Sequence, residues 1–226
     1  MWWVREWLGL NHNKRPILLN ILRGRNIEIT GVRWLNSPRF NIWLEDIDTA
    51  WVHDFEIYVD VYGQIELGKL LFGGAGSENG IISWLNNATL PMFPLNTDGV
   101  DPHGRNILIE RLNITNFDDA IAIKPSHQLH KIANCTENVT VRDINIWFGV
   151  GLSVGSVPAS DKYNCVNNIT FSNSHFYHPI KAIYVKTNPG TTKSMAPGSG
   201  GIISNILYEN LEIWRPIWWT IYIGPQ

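Results

Sequence analysis

Three carboxylates crowd one short part of the chain. Asp98 lies in Leu95-Asn96-Thr97-Asp98-Gly99-Val100-Asp101-Pro102, and Asp118 and Asp119 are adjacent in Asn116-Phe117-Asp118-Asp119-Ala120-Ile121-Ala122-Ile123-Lys124. Each group borders an apolar run, and neighbouring acids repel when both ionise. The repulsion raises the pKa of one member, so one carboxyl keeps its proton while another stays charged. That division suits general acid and base work. Two plainer readings compete with it: acidic pairs often cap turns or face water, and clustered Asp oxygens can ligate Ca²⁺. Asp101, in Asp101-Pro102-His103-Gly104, reads as a turn residue.

The elements that position these acids follow from a repeat. Asn26-Ile-Glu-Ile-Thr-Gly-Val-Arg-Trp34, Asn106-Ile-Leu-Ile-Glu-Arg-Leu-Asn-Ile114, Asn138-Val-Thr-Val-Arg-Asp-Ile-Asn-Ile146, Asn168-Ile-Thr-Phe-Ser-Asn-Ser-His-Phe176 and Asn205-Ile-Leu-Tyr-Glu-Asn-Leu-Glu-Ile213 share one apolar frame. A degenerate copy runs from Thr49 to Ile57. Within each copy the apolar residues alternate over two short stretches, the half-buried strand pattern, and the break between them predicts a bend. A second β-rich piece follows most copies, such as Ala120-Ile121-Ala122-Ile123 and Ala182-Ile183-Tyr184-Val185. Repeats that each expose an apolar face must stack to bury it, so the sequence predicts an all-β parallel β-helix rather than an immunoglobulin-like sandwich.

The stacked arrangement explains how the acids meet. Asp98 precedes Asp118 and Asp119 by 20 and 21 positions, close to one coil. Cys135 and Cys165 each stand three residues before a repeat Asn. Equivalent positions on neighbouring coils are about 4.8 Å apart, inside the roughly 4.4–6.8 Å Cα separation that a disulfide spans, which predicts a Cys135–Cys165 bond.

With 226 residues, 44% of them apolar, the chain has material for one domain with a core. The net charge of -2 carries no basic excess that would attract nucleic acid or an anionic membrane surface. No run reaches the roughly 18 uncharged apolar residues of a spanning helix. Charged residues are only 17% of the chain, a balance that suits a β-rich protein handling a neutral or sugar-like ligand. The sequons at Asn87, Asn113, Asn134, Asn138 and Asn168 are candidate glycosylation sites and favour secretion, although the start of the chain does not read as a signal peptide. The same Asn-Φ-Thr strings, with Φ apolar, also make good turn-plus-strand sequences.

Asn96-Thr97-Asp98 and Asp118-Asp119 come in the order and at the spacing of polygalacturonase-type glycoside hydrolases, the pectin-degrading family 28, and the chain resembles that family from about Trp2 to near its end. The resemblance implies a single-stranded right-handed parallel β-helix, a pectic polysaccharide substrate and no required metal or organic cofactor. It implies that Asp118 is the general acid, and that Asp98 and Asp119 hold the attacking water. It also implies inversion at the anomeric carbon, which ordinarily uses carboxyls about 6.5–9.5 Å apart.

Two motif positions depart from the family. Gly149-Val150-Gly151 has valine where the family has a supporting His, and Tyr184-Val185-Lys186 has tyrosine where it has a substrate-gripping Arg. Valine can do neither job, and tyrosine offers a hydroxyl without positive charge. Lys186 and Lys124 each lie 18 residues after a repeat Asn, so they project from equivalent points two coils apart and read as substrate-binding cations, with Tyr184 and Ser153 beside them. Three readings stay open: hydrolysis of a related pectic polymer, hydrolysis of polygalacturonate with Lys186, Lys124 or His178 substituting in part, and a pectin-binding pseudoenzyme. A calcium-dependent pectate lyase-like protein is a further alternative.

Most of the eleven Trp residues, among them Trp34, Trp147 and Trp214, fall at or beside apolar repeat positions and read as core, with Trp218 and Trp219 as candidates to line the groove. The resemblance makes residues 62–94 an insertion within one domain spanning 1–226, either a groove wall or an irregular coil. It also places the chain's start inside the family's solenoid. The chain is therefore expected to be a fragment, or to be capped by a partner or by self-association.

Overall fold

The computed structural model describes Trp3 and residues 14–60, 95–127, 132–158, 164–188 and 200–225. Residues 62–94, expected to be an insertion, and with them the sequon at Asn87, lie outside the described residues. Eleven strands follow in order: β1 (Leu19–Leu22), β2 (Arg25–Thr30), β3 (Arg33–Leu35), β4 (Ile42–Tyr58), β5 (Val100–Ile123), β6 (Ser126–His127), β7 (Thr136–Pro158), β8 (Asn164–Phe176), β9 (Pro179–Asn188), β10 (Gly201–Ile213) and β11 (Trp219–Pro225). Except for the antiparallel β6–β8 contact, the pairings are parallel, which excludes the immunoglobulin-like alternative.

The repeat frame is the pairing register. Ile27 pairs with Ala50, Ala50 with Ile107, Ile107 with Val139, Val139 with Ile169 and Ile169 with Ile206, so six sequence copies sit directly over one another. The degenerate copy is a full member of the stack.

The frame's Asn is a bend. Asn26, Asn106, Asn138, Asn168 and Asn205 all have left-handed backbones, with φ between 52° and 59°, a conformation that Asn tolerates better than other side-chain-bearing residues. Five positions later the chain bends again at Gly31, Asp54, Arg111, Asp143, Asn173 and Asn210, each with positive φ. The Asn amides also bond along the solenoid: Asn168 donates to Asn138 at 2.8 Å, and Asn138 to Asn106 at 3.3 Å. Asn113, Asn134, Asn138 and Asn168 are exposed. For Asn138 and Asn168, recurrence follows from the bend and ladder without appeal to a sugar.

Between the bends the apolar positions point inward. Ile42, Val52, Ile109, Leu112, Ile114, Ile144, Val166, Phe171 and Phe176 are fully buried in one continuous core. Cys135 and Cys165 are bonded across neighbouring coils with Cα atoms 5.0 Å apart.

The tryptophans divide differently from expectation. Trp34 packs against the core, but Trp147 and Trp214 are 46% and 60% exposed. Trp147 stacks flat on Tyr177, centroids 4.1 Å apart. At the outermost coils, Leu18, Leu22 and Leu35 on one side and Ile202, Leu207 and Ile223 on the other expose apolar surface.

Candidate active site

Asp98 sits just before β5 and Asp118 and Asp119 near its end, one coil later. The Gly99 amide donates to the Asp119 carbonyl at 2.9 Å, closing that coil onto itself. A Cβ on Gly99 would lie 2.2 Å from the Ala120 carbonyl oxygen, so only glycine allows the approach. Three side chains fix the local backbone. The Asn116 amide donates to the carbonyls of Thr97 at 3.0 Å and Asp119 at 2.8 Å. Asn41 donates to those of Thr97 at 3.2 Å and Asp98 at 3.0 Å. Buried Arg15 reaches the Leu95 carbonyl at 2.8 Å. Asn41 and Arg15 carry no local motif, so their roles arise only on folding; Asn116 had a signal, its position beside the acidic pair.

Oxygens of Asp98, Asp118 and Asp119 all lie within 4.8 Å of one another. Asp118 is the half-exposed member, whereas Asp98 and Asp119 are buried. The Asp118 carboxylate accepts from the Asn96 amide at 2.8 Å and the Asp119 amide at 3.0 Å. Burial and the neighbouring Asp119 nevertheless push its pKa up. Burial, followed by Asp101 and Asp118, pushes Asp98 well above the usual carboxylate range.

Asp101 is not a turn residue. It is fully buried at the start of β5 and pairs with Lys124 at 3.3 Å, and burial raises its carboxyl to about 7 although Lys124 opposes the shift. The Asp-Pro-His-Gly string resembles a turn, but parallel pairing to β4 at Trp43 holds it extended.

The residues expected to grip substrate lie in the same cluster. Ser153 is buried and donates to Asp119 at 2.5 Å, so its hydroxyl faces an acid of the cluster. Lys186 is 4% exposed and its ammonium bonds the other Asp119 oxygen. Lys124 also lies 3.8 Å from Asp98. Burial opposes the charge of both lysines, but the facing acids outweigh it and raise their pKa values. The register equivalence holds: Ile123 pairs with Val154 and Gly155 with Lys186, leaving Lys124 and Lys186 two coils apart on one line. Tyr184 is 5% exposed, with the Lys186 ammonium 5.0 Å from its ring centroid. His178 is exposed on the bend between β8 and β9.

Four carboxyls thus face two ammonium groups. Full ionisation would leave the buried cluster two charges negative, and burial with mutual repulsion raises the carboxyls of Asp98, Asp101 and Asp118. A divalent cation among the acids would have to displace or lie against two ammonium groups already paired there, and the cation repulsion makes the cluster a poor calcium site.

One basic residue was absent from the sequence-based candidates. Asp119 pairs with Val150, and Val150 with Lys181, so Lys181 stands two coils from Asp119 on the same register line. Its ammonium lies 3.9 Å from the Tyr184 ring centroid. A lysine two residues outside the recognised Tyr-Val-Lys string gave no local signal. A one-residue slip of register between Gly149 and Val150 is what brings it into line.

The family model for glycosyl hydrolases family 28 matches residues 1–223. The chain is 24% identical over 197 residues to an endo-polygalacturonase of Pectobacterium carotovorum subsp. carotovorum, covering 87% of this chain and 37% of the relative. It is 29% identical over 177 residues to a probable endo-xylogalacturonan hydrolase A of Aspergillus fumigatus, covering 78% and 35%. The crystal structure of endo-xylogalacturonan hydrolase from Aspergillus tubingensis superposes with a TM-score of 0.63 at 23% identity, over 94% of this chain and 46% of that one. The likeness shows the fold, a right-handed parallel β-helix. The chain spans little more than a third of the length of the curated relatives it matches.

Proposed function

The chain belongs to glycosyl hydrolases family 28, and we propose that it hydrolyses glycosidic bonds in the galacturonic-acid-containing backbone of a pectic polysaccharide. The observation that carries this reading is the buried cluster of Asp98, Asp118 and Asp119, held by Lys124, Lys186 and Ser153. Mere solubility would not require four carboxyls in so little space.

In the proposed step Asp118, the acid nearest solvent, gives its proton to the glycosidic oxygen as the bond to the anomeric carbon breaks. A water oxygen bonds that carbon, and Asp98 or Asp119 takes the proton that the water loses. Asp101 has a supporting part. When it holds a proton, it removes one of the negative charges that push the Asp98 carboxyl upward, which favours Asp98 as base. Val150 and Tyr184 set this chain apart from the family pattern, and the preferred pectic polymer is where their effect would show.

We read the stereochemistry as inverting, by family, with the water seated between Asp98 and Asp119. Retention, which would pass through a covalent glycosyl-enzyme ester, is the competing outcome. Proton NMR of the first product anomer separates the two.

The disulfide between Cys135 and Cys165, together with the sequons, supports an extracellular setting. The apolar residues exposed on the outermost coils support self-association, which light scattering would report as species larger than a monomer.

The test is release of reducing ends from a panel of pectic polymers, with ultraviolet absorbance followed for unsaturated products. Release that is lost in Asp118→Asn without new absorbance supports hydrolysis. Binding without release, by a folded protein, would replace it with the pseudoenzyme reading, and ultraviolet-absorbing products would replace it with a lyase.

A further inference from the structure

Lys124 and Lys186 are both paired within the acidic cluster, and Tyr184 brings no charge, so a substrate carboxylate needs another cation. Lys181 meets that need. Among the described residues it has no carboxylate at ion-pair distance, and it is only half-buried. Its ammonium is surrounded by rings: centroids of Tyr184 at 3.9 Å, Tyr222 at 4.8 Å, Trp218 at 5.3 Å and Trp219 at 5.8 Å.

The rings form a continuous wall. Trp218 stacks on Trp219 with centroids 4.3 Å apart and planes 17° apart, and Trp219 stacks on Tyr222 at 4.6 Å with the same tilt. Trp219 is sandwiched between Trp218 and Tyr222, and Trp218, at the end of the stack, remains 58% exposed, which leaves its large apolar outer face to take a ligand. The C–H face of a pyranose ring offers a matching flat, weakly polar surface. A cation at the edge of that wall adds a charge requirement to it.

We propose that Lys181, together with Tyr184, Trp218, Trp219 and Tyr222, forms a subsite for a uronic acid residue, the ammonium taking the free carboxylate while the aromatic wall takes the ring face. The assignment rests on the proposed action on galacturonan and names the element that recognises its acidity. Parallel pairing sets the distance. Lys181 is two coils from Asp119, roughly 10 Å along the solenoid axis, so the subsite holds a sugar adjoining the one cleaved. Burial and the positive charge of Lys186 lower the Lys181 pKa, and an anion bound beside the two lysines would relieve that repulsion.

The experiment is calorimetric titration of the wild type, Lys181→Met, Lys181→Arg and Trp218→Ala with short oligogalacturonates and with their methyl esters. Wild type should bind the acid more tightly than the ester. Lys181→Met should weaken acid binding about tenfold or more, the scale of a hydrogen bond to a charged group, while moving ester binding less than about twofold. Lys181→Arg should keep the preference, and Trp218→Ala should weaken both ligands together. Equal affinity of wild type for acid and ester, or an equal loss of both in a folded Lys181→Met, overturns the proposal. The hydrolase reading fails separately. Lysine-dependent acid binding without bond cleavage supports the subsite and removes the enzyme, whereas cleavage of the acidic polymer by a protein indifferent to Lys181→Met does the reverse.

Discussion

Two stacks of charged residues run along this solenoid, and they have opposite chemistry. In one stack, Asp48 pairs with Arg105 at 3.0 Å and Asp54 takes two Arg111 nitrogens at 2.8 Å. Arginine hydrogen bonds hold Asp54 and Asp48 below the usual carboxylate range. At the other stack, Asp98, Asp101 and Asp118 are pushed upward, although Lys124 stands 3.8 Å from Asp98 and 3.3 Å from Asp101. The difference is water. Asp54, which is exposed, and Asp48, which is half-buried, keep solvation and gain a guanidinium, whereas the buried acids lose solvation first and then repel one another. Partner count alone does not make a reactive carboxyl.

Substitutions on the two stacks should therefore differ by orders of magnitude. The largest effect is expected from Asp118→Asn, which removes the transferable proton but keeps the shape. The rate of reducing-end release should fall by roughly 10²–10⁴-fold, while a fall below tenfold would assign the proton elsewhere.

Lys186→Met comes next, through stability. It leaves the Asp119 carboxyl buried without its cation, a loss of about 3–5 kcal/mol in urea unfolding. A change under about 1 kcal/mol would show that Asp119 protonates or gains water instead, and the contrast between the stacks would soften.

The third test is pH. The Asp101 carboxyl is raised from its ordinary 3.8 to about 7, so between those values the folded protein binds more protons than the unfolded chain. Its contribution to stability is fully present below about pH 4 and declines as pH rises to about 7. Asp101→Asn should flatten that decline in a series of melting temperatures, and a decline of unchanged slope would clear Asp101 of responsibility. In activity the sign is the same for Asp118, whose raised pKa extends its acid form upward before the rate falls with rising pH.

Smaller changes are expected away from the acids. Asn168→Ala places a Cβ-bearing residue with no amide at a left-handed bend, for a cost of about 1–2 kcal/mol, and Asn168→Gly should recover the backbone part of that loss. The smallest effect belongs to Asp54→Asn on the exposed stack. Its melting temperature should stay within about 3 °C of wild type and should converge on it as salt is added.

Legibility in the sequence followed the periodicity of the solenoid. The Asn frame, the coil length that brings Asp98 to Asp118 and Asp119, and the alignment of Cys135 with Cys165 are all spacings along the chain. Parallel stacking converts such spacings directly into contacts. Trp147 and Trp214 mark a limit of that reasoning, because an apolar residue beside a core position can still face outward. Lys181 marks another, since its place in line depends on a single-residue slip that no periodic frame contains.

Residue types and spacings were enough to read a stacked all-β solenoid whose acidic trio meets across one coil length. The tertiary structure decided which side chains serve that trio. Lys186 meets Asp119 from 67 positions away, Ser153 from 34, and Asn41 reaches Asp98 across 57. Burial is a property of the assembled stack rather than of any segment. Only there did an apparent turn residue become a buried acid and two apparent substrate lysines become partners of the acids, because removal of water sets both the cost of a charge and the need for its counterion.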